Sequence, residues 1–245
     1  MHASQYEHMK RAIEKYVSDK RHLDILELGS GTSPGQRKTH RSLFDLVDHA
    51  YLGVDVQAGP TVDRVMPAPY TIPVRSNSQD IVVCGSVMEH IPLFWVSALE
   101  IARVLRPNGL LFVTVPSRGH KHSAVDCWRM YPDGLRAIGM WAGLIVLESH
   151  VHYPPMTSEK RHDYPAIDST VHYWGDAVGV FRKPAKYSLM IRAYRPLLRA
   201  CANRLAKDGP LGGTPVPRKA CDILSYEGAS NAPSGRPAVL RSSSR

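Results

Sequence analysis

Residues 23–35, LDILELGSGTSPG, run from an apolar stretch into a glycine-rich bend, with a carboxylate, Glu27, two positions before the first glycine. Glycines at a strand-to-helix turn let a ligand approach the backbone closely, and the helix start that follows offers unpaired amide hydrogens. Gly29 and Gly31 fill two places of a dinucleotide-type GxGxxG, but Pro34 stands where the third glycine would permit close packing around a pyrophosphate. No GK[ST] follows, which excludes a phosphate-binding P-loop. A second carboxylate, Asp55, comes 24 residues after Gly31, at the end of the next apolar run. Such a group accepts two hydrogen bonds from a ribose diol, whether of NAD or of another adenosine ligand. Bend and acid together call for a nucleoside with little negative charge near the loop.

Elements must hold these groups in place. LDILEL (23–28), AYLGVDV (50–56), DIVVCG (80–85) and GLLFVTVP (109–116) are short, rich in Val, Ile and Leu, and bounded by Gly, Pro, Asp or Asn, which predicts strands. Segments 37–49 and 93–105 are long enough for helices between them. Almost wholly apolar strands alternating with helices argue for a parallel sheet covered on both faces. Tyr6, Met9, Ile13 and Val17 at helical spacing predict an amphipathic helix over residues 4–18. Downstream, YPDGLRAIGMWAGL (131–144) carries helix start and stop signals, and LIVLESHV (144–151) and DAVGVFRK (176–183) read as further strands.

At ELGSGTSPG, YLGVDV, SNSQDIVVCGSVMEHI and EIARVLRPNGLLFVTVPS the sequence resembles the class I S-adenosylmethionine-dependent methyltransferases of the type 11-like group. The resemblance covers residues 23–116 well and extends more loosely to about residue 183. It implies an α/β fold: a Rossmann-like seven-stranded sheet in the order 3-2-1-4-5-7-6, last strand antiparallel, with helices on both faces, in one domain over residues 1–183. It implies S-adenosylmethionine as cofactor across the carboxyl ends of the first strands. Glu27, Gly29, Ser30 and Gly31 would line its methionine and ribose side. Asp55, with Val56 beside it, would hold the ribose hydroxyls, and Ser86 and Val87 would sit near the reacting methyl group. Two departures stand out: Ser33 replaces the third loop glycine, and Pro67-Ala68 occupy the place of the family's adenine-binding Asp-Ala pair.

The acceptor side is expected in PSRGHKHSAVDCWRMYPDGL, where Trp128 and Arg129 either meet the acceptor or brace the loop. An oxygen acceptor gains from a base, and His120 or His122, then His90, are the candidates. His120-x-His122 offers two metal ligands without a clear third, so no metal is expected. The loop at 153–175, with His162 and Tyr164, has the composition of a lid over a sugar or aromatic acceptor, and equally of a homodimer contact. The expected activity is methylation, at oxygen, of a small-molecule or carbohydrate-type acceptor. A catalytically silent cofactor-binding module stands as the alternative, and a nicotinamide oxidoreductase is disfavoured by Pro34.

Net charge is +9, but its location decides its meaning: residues 1–181 carry 18 Lys and Arg against 19 Asp and Glu, and residues 182–245 carry 13 against 3. The body therefore gives no support to a nucleic-acid partner. Residues 184–206 read as a basic amphipathic helix kinked at Pro196, suited to a membrane surface or an acidic partner. Residues 207–245, rich in Gly, Pro, Ser and Arg, are expected to be disordered. No apolar run approaches the roughly 18 residues of a membrane span, and the amino terminus lacks the apolar stretch of a signal peptide. With four scattered cysteines and no CxxC pair, a cytoplasmic setting is expected.

Overall fold

The computed structural model describes residues 3–18, 21–32, 36, 39–67, 70–119, 121, 123, 125–152 and 175–208. The anticipated strands form as β1 (Leu23–Leu28), β2 (His49–Asp55), β4 (Gln79–Gly85), β5 (Leu105–Arg118), β6 (Ile145–His152) and β7 (Gly175–Arg182), with a two-residue β3 (Arg64–Val65) after β2. They make one seven-stranded sheet in the order β3-β2-β1-β4-β5-β7-β6. The ladders from β3 to β5 are parallel, and β7 runs antiparallel to both neighbours. This is the topology expected above.

Alternation along the strands divides the core into two layers. Ile25, Val83 and Phe112 point to one face, where Met9 and Ile13 of α1 (Ala3–Tyr16) cover them. Leu26, Val82 and Val113 point to the other, beneath α2 (Phe94–Val104) and α3 (Pro132–Ala142), whose Ile101, Leu135 and Ile138 fill that layer. Each fully buried Leu, Ile or Phe contributes about 2–3 kcal/mol of burial, so both faces hold the sheet rigid beneath its carboxyl edge. α3 begins at Pro132, which suits a first helical turn, and ends at Gly143, whose φ of +65° lets its amide bond back to Met140 O.

Segment 37–49 differs from expectation. Among its described residues only a 3-10 turn, His40–Phe44, forms, and the chain enters β2 at His49. His40 and Phe44 are both buried, anchoring the segment at two points one turn apart. β3 escaped the sequence pattern because both its residues are exposed. The basic helix α4 spans Leu189–Asp208 with Pro196 inside it, so its end overlaps the first two residues of the tail expected to be disordered; the remainder of that tail lies outside the described residues. Among the described residues, no helix is long and apolar enough to cross a membrane.

Candidate functional site

The bend after β1 is pinned by β2. Gly29 and Ser30 donate their amides to Val54 O, which turns the chain across the carboxyl edge of the sheet. Gly29 has a φ of +77°, and a Cβ there would overlap Val87, so glycine is required on both counts. A Cβ on Gly31 would come within 2.8 Å of Asp55 Oδ2. The Gly31 amide instead donates to that oxygen at 2.9 Å, and the Gln57 amide donates to Oδ1 at 3.1 Å. Each Asp55 oxygen keeps a lone pair, enough to accept a ribose diol. Ser30 turns inward, its Oγ buried and without a hydrogen-bond partner, while its carbonyl accepts from Thr61.

These residues fit an adenosine-type cofactor. A side-chain-free bend, a carboxylate held by two backbone amides, and an unpartnered buried hydroxyl lie at one edge. Val56 follows Asp55 and is partly exposed beside it. Ser86, just past β4, takes a φ of +54°; its hydroxyl bonds to Gln5 Oε1 of α1 and its amide to Thr114 O. Val87 packs over Gly29. Of the residues nominated for the cofactor, Gly29, Ser30, Gly31, Asp55, Ser86 and Val87 thus gather at this edge.

Glu27 is committed elsewhere. Its carboxylate is 5% exposed, lies 2.6 Å from His40 Nδ1, and accepts the Tyr51 hydroxyl at 2.9 Å. His40 is 3% exposed, and its Nε2 has no hydrogen-bond partner as it faces Gly85 and Thr114 across the ends of β4 and β5. Burial, reinforced by the Glu27 charge, pushes the Tyr51 hydroxyl pKa well above its usual value. Sequence reasoning missed His40: nothing in its spacing tells of a carboxylate 13 residues earlier.

On the acceptor side, His90 Nδ1 donates to Val125 O at 2.6 Å, which makes Nε2 the basic nitrogen, and Nε2 lies 3.6 Å from Glu89 Oε1. Glu89 is fully buried and neither of its carboxyl oxygens has a hydrogen-bond partner. Burial first, and Asp126 nearby, raise its pKa to about 8, so it is mostly protonated at neutral pH. Trp128 donates to Ile91 O and Pro92 O and packs edge-on against Phe94 and Trp95. Arg129 grips Asp126 through two bonds of 2.5 and 2.7 Å. Both side chains therefore spend polar contacts on bracing their own loop. His120, His122, His162 and Tyr164 lie outside the described residues. The segment holding the last two leaves β6 at His152 and re-enters β7 at Gly175, both at the carboxyl edge.

Two buried acids give the fold a signed pH dependence. Asp176 is raised to about 6, by burial against the opposing bonds from Ser4 and Gln5, and Glu89 to about 8. A carboxyl whose folded pKa lies above its unfolded one costs nothing below the unfolded value and destabilises increasingly as pH rises through the interval. The melting temperature should therefore fall between about pH 5 and pH 8, and Glu89→Gln should flatten the upper part of that decline. A Glu89→Gln protein with the wild-type slope would remove the assignment.

Residues 26–113 match the family described as "Methyltransferase domain". No curated protein sequence matches the chain. Among solved structures, a putative sarcosine dimethylglycine methyltransferase from Galdieria sulphuraria is 15% identical, with 75% of this chain and 87% of that one covered at a TM-score of 0.54. The [4+2]-cyclase SpnF is 16% identical, with 74% and 82% covered at 0.55. Phosphoethanolamine N-methyltransferase 2 of Haemonchus contortus, in complex with S-adenosyl-L-methionine, is 16% identical, with 71% and 52% covered at 0.50. At such identities these likenesses establish the fold alone, and the domain match is confined to residues 26–113. Residues 26–113 thus match a methyltransferase domain, and they sit in a seven-stranded sheet of the fold that these solved structures share.

Proposed function

We propose that the protein, in a cytoplasmic setting, methylates a hydroxyl of a small-molecule or carbohydrate-type acceptor. S-adenosylmethionine supplies a sulfonium-bound methyl group, already on a good leaving group. The chain's own task is then to align the acceptor and take its proton. Asp55 holds the ribose hydroxyls, and the bend at Gly29–Gly31 receives the backbone-facing side of the ligand. The observation that carries the oxygen-acceptor reading is the His90 imidazole, whose proton is fixed on Nδ1 by Val125 O, leaving Nε2 basic beside a buried carboxyl. His90 receives the acceptor proton, with His120 and His122 as the other candidate bases. His162 and Tyr164, which lie outside the described residues, are the further candidates for acceptor contact. Trp128 and Arg129 shape the acceptor side by holding the 117–131 loop.

Fold alone does not choose the reaction, since functions are grafted on folds by site residues. The test is transfer of labelled methyl to a panel of sugars, phenols and amines. Oxygen acceptors should turn over, and His90→Ala should lower kcat by about 100-fold with cofactor affinity unchanged. Cofactor binding with no acceptor methylated would favour a silent binding module, and amine acceptors alone would overturn the oxygen reading. Full turnover in His90→Ala and in the His120 and His122 variants would remove the base.

A further inference from the structure

A cavity of about 580 Å³ lies at the opposite end of the sheet from the cofactor bend, between α2, the end of β7 and α4. Its wall carries six cations: Arg103, Lys183, Lys186, Arg192, Arg195 and Arg199. Among the described residues the one carboxylate bonded to any of them is Glu100, which pairs with Arg103 at 2.8 Å and lies 3.6 Å from Arg199. Arg103 is otherwise spent on Val74 O and Ile72 O, so it is part of the frame. The remaining cations converge with little compensation. Arg192, Arg195 and Arg199 repeat at helical spacing along one stripe of α4, and Arg195 stacks on Tyr187 at 4.4 Å, which fixes its guanidinium.

Lys183 forms the floor. It is 6% exposed, donates to Asn77 Oδ1 and Leu105 O, and is joined to no carboxylate among the described residues. Burial first, then Arg195 and Arg103, lowers its ammonium to about 8. Holding like charges this close costs free energy that a bound anion returns. Arginine forks at fixed orientation above a buried ammonium match phosphate oxygens by geometry and charge.

We propose that this cavity binds a phosphate-bearing anion, a soluble diphosphate compound or the headgroup of an anionic lipid. Leu189 and Leu197, 81% and 67% exposed on the outer side of α4, give the lipid source a place to insert its neighbours. The site is separate from the cofactor edge and independent of the methyl-transfer reading.

Two arms separate the sources. Full-length protein is titrated with inorganic pyrophosphate by calorimetry, and is sedimented with vesicles of phosphatidylcholine alone or mixed with phosphatidylglycerol. Each arm is run on wild type, on Lys186→Gln/Arg192→Gln, and on Lys10→Gln/Arg11→Gln, which removes the same charge from α1. Pyrophosphate binding weakened at least ten-fold by the cavity variant only, and weakened by salt, supports a soluble ligand. Binding to the anionic vesicles lost in the same selective way supports the headgroup. Binding in neither arm, or equal loss in both variants, overturns the proposal. All three proteins should melt alike, because Lys186 and Arg192 are exposed.

Discussion

Asp55→Ala should weaken S-adenosylmethionine binding about 100-fold and leave the melting temperature within a few degrees of wild type. Two hydroxyls bonded to one carboxylate contribute on the order of 1.5–3 kcal/mol each, and their loss together amounts to two or more powers of ten. The fold loses little, because the carboxylate sits at the rim and, among the described residues, holds the Gly31 and Gln57 amides, which water can serve instead. Asp55→Asn keeps one acceptor and one backbone bond, so its loss should be closer to ten-fold. Calorimetric titration of the three proteins reads the series. Unchanged affinity in Asp55→Ala would mean the ribose lies elsewhere.

The second large effect belongs to the pair beneath the bend. His40→Ala should destabilise the protein by about 3 kcal/mol, because it strands the Glu27 carboxylate among buried neighbours with only Tyr51 to serve it. For a chain of this size that corresponds to a fall in melting temperature of roughly 6–12 °C. Combining Glu27→Gln with His40→Phe removes the stranded charge, keeps an acceptor for Tyr51 and refills the ring's volume. It should recover at least half of the loss, the coupling expected of contacting groups. Thermal melts of the single and double variants measure this directly. Additive losses would show that Glu27 and His40 act independently.

What the sequence made legible was what repeats locally. β1, β4 and the apolar half of β5 announce themselves because nearly every residue is buried on one face or the other, and the helix at Pro132 because Pro at its start and Gly at its end are strong signals. The glycine requirement at Gly29 and the carboxylate at Asp55 were visible for the same reason: special backbone and a fixed offset along the chain. β3 left no trace, since two exposed residues have no period. The 37–49 segment reads as a helix by length, yet among its described residues only His40 and Phe44, at the ends of the short turn, are buried. Long-range pairing was illegible altogether. The Glu27–His40 contact, and the meeting of Arg103 with α4 arginines, exist only once the sheet has brought distant segments together. The bracing of Trp128 and Arg129 was one of two readings open in the sequence, and the bonds to Ile91, Pro92 and Asp126 are what the fold adds.

Calorimetric titration of the wild-type protein with S-adenosylmethionine, S-adenosylhomocysteine and NAD in parallel separates a methyl-transfer site from a nicotinamide site. The two sulfur ligands should bind at micromolar concentration and NAD not at all, since Pro34 replaces the glycine a dinucleotide pyrophosphate needs. Binding of NAD alone would contradict the methyl-transfer reading.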